Sequence, residues 1–249
     1  MPLQERVLQG GYPEALTRTV PRRRQAWFNA YVTTILQRDV RDLSSIEGLT
    51  QLPRLLALLA SRTMSLANYA ELSRSSGLPQ STLKRYLSLF ELTFLLQTIP
   101  AWHENLGKRL VKSPKVLLSD TGLASYLTGV GDPGSLPDRT LWGALLESFV
   151  AMELKKQITW SERQPALYHF RTQTGQEVDL VLEDAAGALV GIEVKASASV
   201  SGGDFKGLRA LQEARPEAFR CGIVLHNGTE VVSFTDTLHA VPLQALWRW

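Results

Sequence analysis

The run Gly175-Gln176-Glu177-Val178-Asp179-Leu180-Val181-Leu182-Glu183 leads through the turn Asp184-Ala185-Ala186-Gly187-Ala188 to Gly191-Ile192-Glu193-Val194-Lys195-Ala196. Aliphatic residues dominate both runs, and the turn composition suits a hairpin loop. Strict alternation sends the side chains of 177, 179, 181 and 183 to one face and those of 178, 180 and 182 to the other. In the second run Glu193 and Lys195 share a face, and Ile192 and Val194 take the opposite one. A hairpin brings Asp179 and Glu193 together with Lys195 beside them. Two carboxylates about 4 Å apart repel by roughly 4 kcal/mol at an effective dielectric near 20. A proton, a cation or solvent must offset that. Hard oxygen donors suit Mg²⁺ or Mn²⁺. Protonated Lys195 cannot be a ligand, but it can stabilise a developing anion or orient a water.

The chain has 249 residues, 44% of them hydrophobic, enough for one large domain or two small ones. A single cysteine, Cys221, rules out an internal disulfide and a cysteine-based zinc site, which fits a reducing cytoplasm. No run is long and apolar enough to span a bilayer, and Met1-Pro2-Leu3-Gln4-Glu5 does not open a signal peptide, so a soluble protein is expected. Charge is uneven. Residues 1–130 hold 16 Lys/Arg against 9 Asp/Glu, net +7; residues 131–249 hold 11 against 15, net −4. One reading is ordinary surface variation; the other is a front half that faces nucleic acid and a back half whose carboxylates await a cation.

Pro21-Arg22-Arg23-Arg24 leads into a helix predicted over 25–42, and a second helix is expected over 49–63. Asn68 has the position of an N-cap with Glu71 three residues on, and Gly77 ends that short helix. A further helix starts after Pro79, with Leu83, Leu87 and Phe90 on one face. Short helix, turn and a second helix with polar and basic residues near its start is the helix-turn-helix layout. With a strand over 93–99, the basic turn Leu106-Gly107-Lys108-Arg109 and the strand Val116-Leu117-Leu118, residues 64–119 read as a winged helix. Gln80, Ser81, Lys84 and Arg85, with Lys108 and Arg109 on the wing, are the candidate DNA contacts. The same unit can equally serve packing or dimerisation. Ser119-Asp120-Thr121-Gly122 reads as a helix cap.

Residues 129–138 are rich in Gly and Pro and read as a linker between a helical domain, 1–128, and an α/β domain with a mixed sheet, 139–249. The latter opens with a helix over 140–158 carrying Glu147. Strands follow at 166–171 and in the hairpin, then a helix over 204–214 and strands at 221–226 and 230–234. His103, His169, His226 and His239 lack metal-ligand spacing. His169 and Arg171 lie near the hairpin, where they could meet a phosphate. Trp247 and Trp249 suit a core or an interface, and Cys221 a buried strand.

A helical Glu, an Asp in one strand and Glu-x-Lys in the next resemble the core of the PD-(D/E)XK nuclease superfamily, with Glu-Val-Asp in place of Pro-Asp. The resemblance implies that Asp179 and Glu193 bind Mg²⁺ with help from Glu147, and that Lys195 positions the attacking water or stabilises the phosphorane. Gly10-Gly11-Tyr12-Pro13-Glu14, Leu36-Gln37-Arg38-Asp39-Val40, Arg85-Tyr86-Leu87, Ser119-Asp120-Thr121-Gly122-Leu123, Glu147-Ser148-Phe149-Val150 and Phe170-Arg171 add a longer pattern. With the Glu-Val-Asp and Glu-Val-Lys runs, they resemble the C-terminal portion of prokaryotic AAA-type ATPase-like proteins, domain-of-unknown-function family 4143, over nearly all of the chain. That resemblance implies an association with an ATPase module. This chain has no Gly-x-x-x-x-Gly-Lys-Ser/Thr loop, so it is not expected to hydrolyse ATP itself. Three readings stand: a metal-dependent DNA nuclease, a non-catalytic DNA-docking or partner-binding module of an ATPase system, and a surface hairpin with cross-strand charge pairs.

Overall fold

The computed structural model describes residues 2–39, 49–105, 107, 109, 112–131, 134 and 139–247. They form two compact units: Met1–Thr98 with Lys115–Phe149, and Ile99–Pro114 with Val150–Trp249.

The first unit opens with helices α1 (Leu3–Gln9), α2 (Pro13–Leu16) and α3 (Pro21–Thr34), the last continuing as a π-helical turn over Ile35–Asp39. Pro13 and Pro21 stand at the first helical positions, where a missing N–H costs nothing. Then come α4 (Leu52–Ser61), β1 (Ser65–Leu66), α5 (Tyr69–Ser76), α6 (Gln80–Leu92), β2 (Leu96–Ile99), β3 (Lys115–Leu118) and α7 (Thr121–Leu127). The three strands form a sheet in the order β1-β3-β2, with Ser65 opposite Val116. Element order and sheet order are those of a winged helix. The local signals act as expected. Asn68 Oδ1 accepts the Glu71 N–H at 3.1 Å, and Gly77 ends α5 in the left-handed region at φ 74°. On α6, Leu83, Tyr86, Leu87 and Phe90 are buried at helical spacing.

The Asp120 carboxylate holds the start of the unit in place. It caps α7 through the Leu123 N–H at 2.8 Å and accepts the Gly11 N–H at 2.6 Å. Gly10, at φ 73°, leaves no room for a side chain: a Cβ there would lie 2.2 Å from Asp120 Oδ1. The Gly-Gly-Tyr-Pro and Ser-Asp-Thr-Gly runs are thus two halves of one packing contact.

Helix α8 (Arg139–Trp160) runs to Phe149 within the first unit and from Val150 within the second. The second unit is built on a six-stranded mixed sheet in the order β4-β5-β6-β7-β9-β8. Its strands are β4 (Ala166–Arg171), β5 (Glu177–Glu183), β6 (Leu189–Lys195), β7 (Phe219–His226), β8 (Val232–Ser233) and β9 (Leu238–Pro242). The β4–β5, β5–β6 and β8–β9 pairs are antiparallel; β6–β7 and β7–β9 are parallel. A 3₁₀ turn (Gly202–Phe205) and helix α9 (Lys206–Ala214) cross from β6 to β7. Phe205, Leu208 and Leu211 pack on Val178, Val181, Leu189, Val224 and Leu238. At about 25 cal/mol per Å² of apolar surface, each fully buried Leu or Phe contributes roughly 2–3 kcal/mol. Two glycines permit this close packing. A Cβ on Gly191 would meet Leu208 at 2.6 Å, and one on Gly207 would fall 1.6 Å from the Glu177 carbonyl.

Three features differ from the sequence reading. By compactness the chain divides within α8, residues 132, 133 and 135–138 of the linker read at 129–138 lie outside the described residues, and described residues between 99 and 114 join the second unit. Strand β9 has no counterpart in the sequence reading, and the strand expected over 230–234 shortens to β8. Finally, the alternation in β5 is broken. Tyr168 pairs with Val181 but Phe170 with Val178, so β5 carries one extra residue there. This β-bulge puts Val178 and Val181 in the same apolar cluster.

Candidate functional site

The bulge sits at Asp179 and Leu180, opposite His169. The β5–β6 register runs from Glu183↔Leu189 to Leu180↔Ile192. Beyond it the Asp179 carboxylate, instead of a main-chain carbonyl, takes the next amide: the Val194 N–H donates to Asp179 Oδ2 at 3.0 Å. Asp179 is buried, with 8% of its surface exposed. Glu193 and Lys195 lie on β6 two residues apart, and Lys195 Nζ is 3.5 Å from Glu193 Oε1. The hairpin therefore brings Asp179, Glu193 and Lys195 together.

A fourth group, missed in the sequence, completes the cluster. Asp204 Oδ1 is 3.7 Å from Lys195 Nζ. Its other oxygen accepts the Ser201 N–H at 2.8 Å and the Ser201 hydroxyl at 2.9 Å, a capping box that fixes the 3₁₀ turn. The signal was present as Ser-Gly-Gly-Asp opening the crossover helix. What the sequence does not show is that the turn folds back on Lys195. Burial alone would lower the Lys195 ammonium; Glu193, Asp204 and Asp179 outweigh it and hold it above its ordinary value. Burial would likewise raise Asp204, but the Ser201 hydrogen bonds and the Lys195 charge bring its carboxyl below the usual range. The cluster is three carboxylates around one ammonium, with a net negative charge.

Glu147 is half-buried on the part of α8 that belongs to the first unit. Among the described residues, no group of three or more His, Cys, Asp or Glu side chains forms a ligand set for a metal ion. The donors that are present still suit a hard cation. Mg²⁺ keeps several waters and is bound through one or two carboxylates plus substrate phosphates, not in an all-protein cage.

In the first unit, Gln80, Ser81, Lys84 and Arg85 are all exposed on α6, opposite its buried face. The Lys84 ammonium lies 5.3 Å from the centre of the Tyr69 ring. Lys108 lies outside the described residues. Arg109 differs from the wing contact expected of it. Its guanidinium makes a bidentate pair with Glu183 through Nη1 and Nη2, and its Nε donates to the His103 carbonyl. The group lies 5.4 Å from the Trp102 ring centre and 4.8 Å from that of Tyr168. Its side chain is 11% exposed. His169 is also structural: it is buried, its Nε2 lies 3.2 Å from the Ser113 carbonyl oxygen, and Ala101 bridges to it. Trp102, Arg109 and Ser113 thus belong to the second unit, tied to β4 and β5, and Arg109 and His169 are held by partners within it. His226 is held by Gly228 and Glu230 backbone groups, and burial raises the Cys221 thiol.

A winged helix in one unit and an acidic hairpin cluster in an α/β unit place the chain among two-module α/β proteins. Residues 2–134 match the family described as domain of unknown function DUF8612, which covers more than half of the chain, so the chain belongs to that family. Residues 142–246 match a second family, domain of unknown function DUF4143. The resemblance to the latter is thereby confined to the C-terminal part. Uncharacterized proteins Mb2031c of Mycobacterium bovis and Rv2008c of Mycobacterium tuberculosis are each 32% identical over 237 residues, 94% of this chain and 51% of theirs. The chain therefore spans about half the length of these relatives. A solved assembly of Thermococcus gammatolerans McrB AAA+ hexamers with bound McrC is similar at 11% identity over 76% of this chain and 46% of that one. Its TM-score of 0.32 is too low to carry an argument. No helix among the described residues is long and apolar enough to cross a membrane.

Proposed function

We propose that the second unit is a divalent-cation-dependent phosphodiester site of nuclease type, served by DNA bound on the winged helix. The observation that carries this reading is the convergence of Asp179, Glu193 and Lys195 where the β5–β6 ladder opens. Asp179 and Glu193 would hold Mg²⁺ or Mn²⁺, which when bound neutralises phosphate charge and acidifies a water. The residues do the rest of the work. Val194 fixes the Asp179 carboxylate, so its orientation needs no reorganisation when charge arrives. Asp204 and Glu193 keep Lys195 protonated and aimed along the site, where an ammonium stabilises an anionic oxygen. Helix α6 supplies sequence-independent affinity through Lys84 and Arg85, which makes binding salt-dependent.

The test is cleavage of linear and branched DNA with Mg²⁺ or Mn²⁺. Wild type should cut, and Asp179→Ala and Lys195→Ala should not. Equal cutting by wild type and both variants, or by none of the three, would contradict a nuclease. One observation favours a second reading, a docking module of an ATPase system: Asp179 and Lys195 already have partners within the fold. In that case metal-free protein binds DNA fully and no cleavage occurs under any condition.

A further inference from the structure

Within the second unit a cavity of about 250 Å³ lies between Trp102, Glu104 and Lys112, the end of β4 and the end of α9. Lys112, Arg171 and Arg215 line it, with Glu104 as the carboxylate on its rim. Arg215 Nη1 pairs with Glu104 Oε1 at 3.2 Å, and Arg171 Nη1 with Glu177 Oε1 at 2.7 Å. Both pairs use Nη1, and the described residues give Nη2 of neither guanidinium a hydrogen-bond acceptor. Lys112 is exposed and enters no ion pair with a described residue. The guanidinium fork matches phosphate geometry, and an ammonium adds a point charge. The cavity thus has a cationic excess in a unit whose other cluster is acidic.

We infer that this cavity binds a backbone phosphate of a nucleic-acid strand. The inference rests on the nucleic-acid reading above.

The experiment is fluorescence anisotropy of a short labelled DNA duplex without divalent cations, over a range of salt. Two variants are compared with wild type: Lys112→Ala/Arg171→Gln and the charge-preserving Lys112→Arg/Arg171→Lys. The neutralised variant should bind about five- to tenfold more weakly, with the slope of log K against log salt smaller by about one. The charge-preserving variant should stay within about twofold of wild type. If the neutralised variant keeps the wild-type affinity and slope while wild type binds DNA, the phosphate site is overturned and the nucleic-acid reading survives. A wild type that binds no DNA overturns both. Equal weakening in the neutralised and charge-preserving variants marks lost packing and also overturns the site.

Discussion

Arg109→Ala should destabilise the second unit by about 3 kcal/mol. The guanidinium makes two hydrogen bonds to the Glu183 carboxylate, and the two side chains are 11% and 17% exposed. Exposed pairs contribute about 0–1 kcal/mol, whereas breaking a buried pair costs about 3–5 kcal/mol, because the remaining charge is stranded. This pair lies nearer the buried limit. Loss of the stacking on Trp102 and Tyr168 adds about 0.5–1 kcal/mol. Against a typical domain stability of about 5–15 kcal/mol, the change is easily measured by urea denaturation followed by tryptophan fluorescence. A double-mutant cycle with Glu183→Gln should give a coupling of about 2 kcal/mol. The pH dependence has a definite sign. Burial would raise the Glu183 carboxyl, but the Arg109 hydrogen bonds and the charges of Arg109 and Arg215 bring it below its ordinary 4.5. A depressed carboxylate contributes stability that is complete above the unfolded value, about 4.3, and is lost as pH falls through the folded value. The coupling should therefore be constant from pH 6 to 8 and vanish in acid. A wing residue facing DNA would behave differently. If Arg109→Ala stays within about 0.5 kcal/mol of wild type but weakens DNA binding, the clasp reasoning is wrong.

Other perturbations probe other levels of the fold. Asn68→Ala removes the α5 cap and should cost about 1 kcal/mol, seen as a lower urea midpoint. Gly207→Ala would drive a methyl into the Glu177 carbonyl, so it should destabilise by several times the ~1 kcal/mol of an ordinary surface change and disturb Asp179 by NMR. Lys84→Ala/Arg85→Ala should leave stability within about 0.5 kcal/mol but reduce the salt slope of DNA binding by one to two. Asp204→Asn should leave Mn²⁺ affinity within a few-fold yet slow cleavage, since the residue acts on Lys195 and not on the cation.

The parts of this fold legible in the sequence are those decided locally. Asn68 and Gly77 announce their helix ends, because capping and left-handed geometry depend on a few adjacent residues. Hairpin 177–195 follows from turn composition and strand patterning, and with it the meeting of Asp179 with Glu193 and Lys195. What escaped depends on distant partners. The bulge at Asp179 arises from pairing with β4, so alternation in β5 alone misassigns the faces of Val178 and Val181. Strand β9 contains a proline and pairs in parallel with β7 across the sheet, which leaves no local signature. The segment between β2 and β3 has the composition of a wing, yet Arg109 finds Glu183, 74 residues away, and leaves the winged helix for the other unit. Asp204 closes a capping box with Ser201, a local contact. Its second role appears only once the crossover brings it to Lys195.

The central claim is that the opened end of the β5–β6 hairpin holds a divalent cation. Calorimetric titration of Mn²⁺ into wild type and Asp179→Ala tests it without any substrate. One site is expected in wild type, weakened at least about 10- to 100-fold in the variant, the loss that even an outer-shell change brings. Equal binding by the two proteins, or none in wild type, would contradict it.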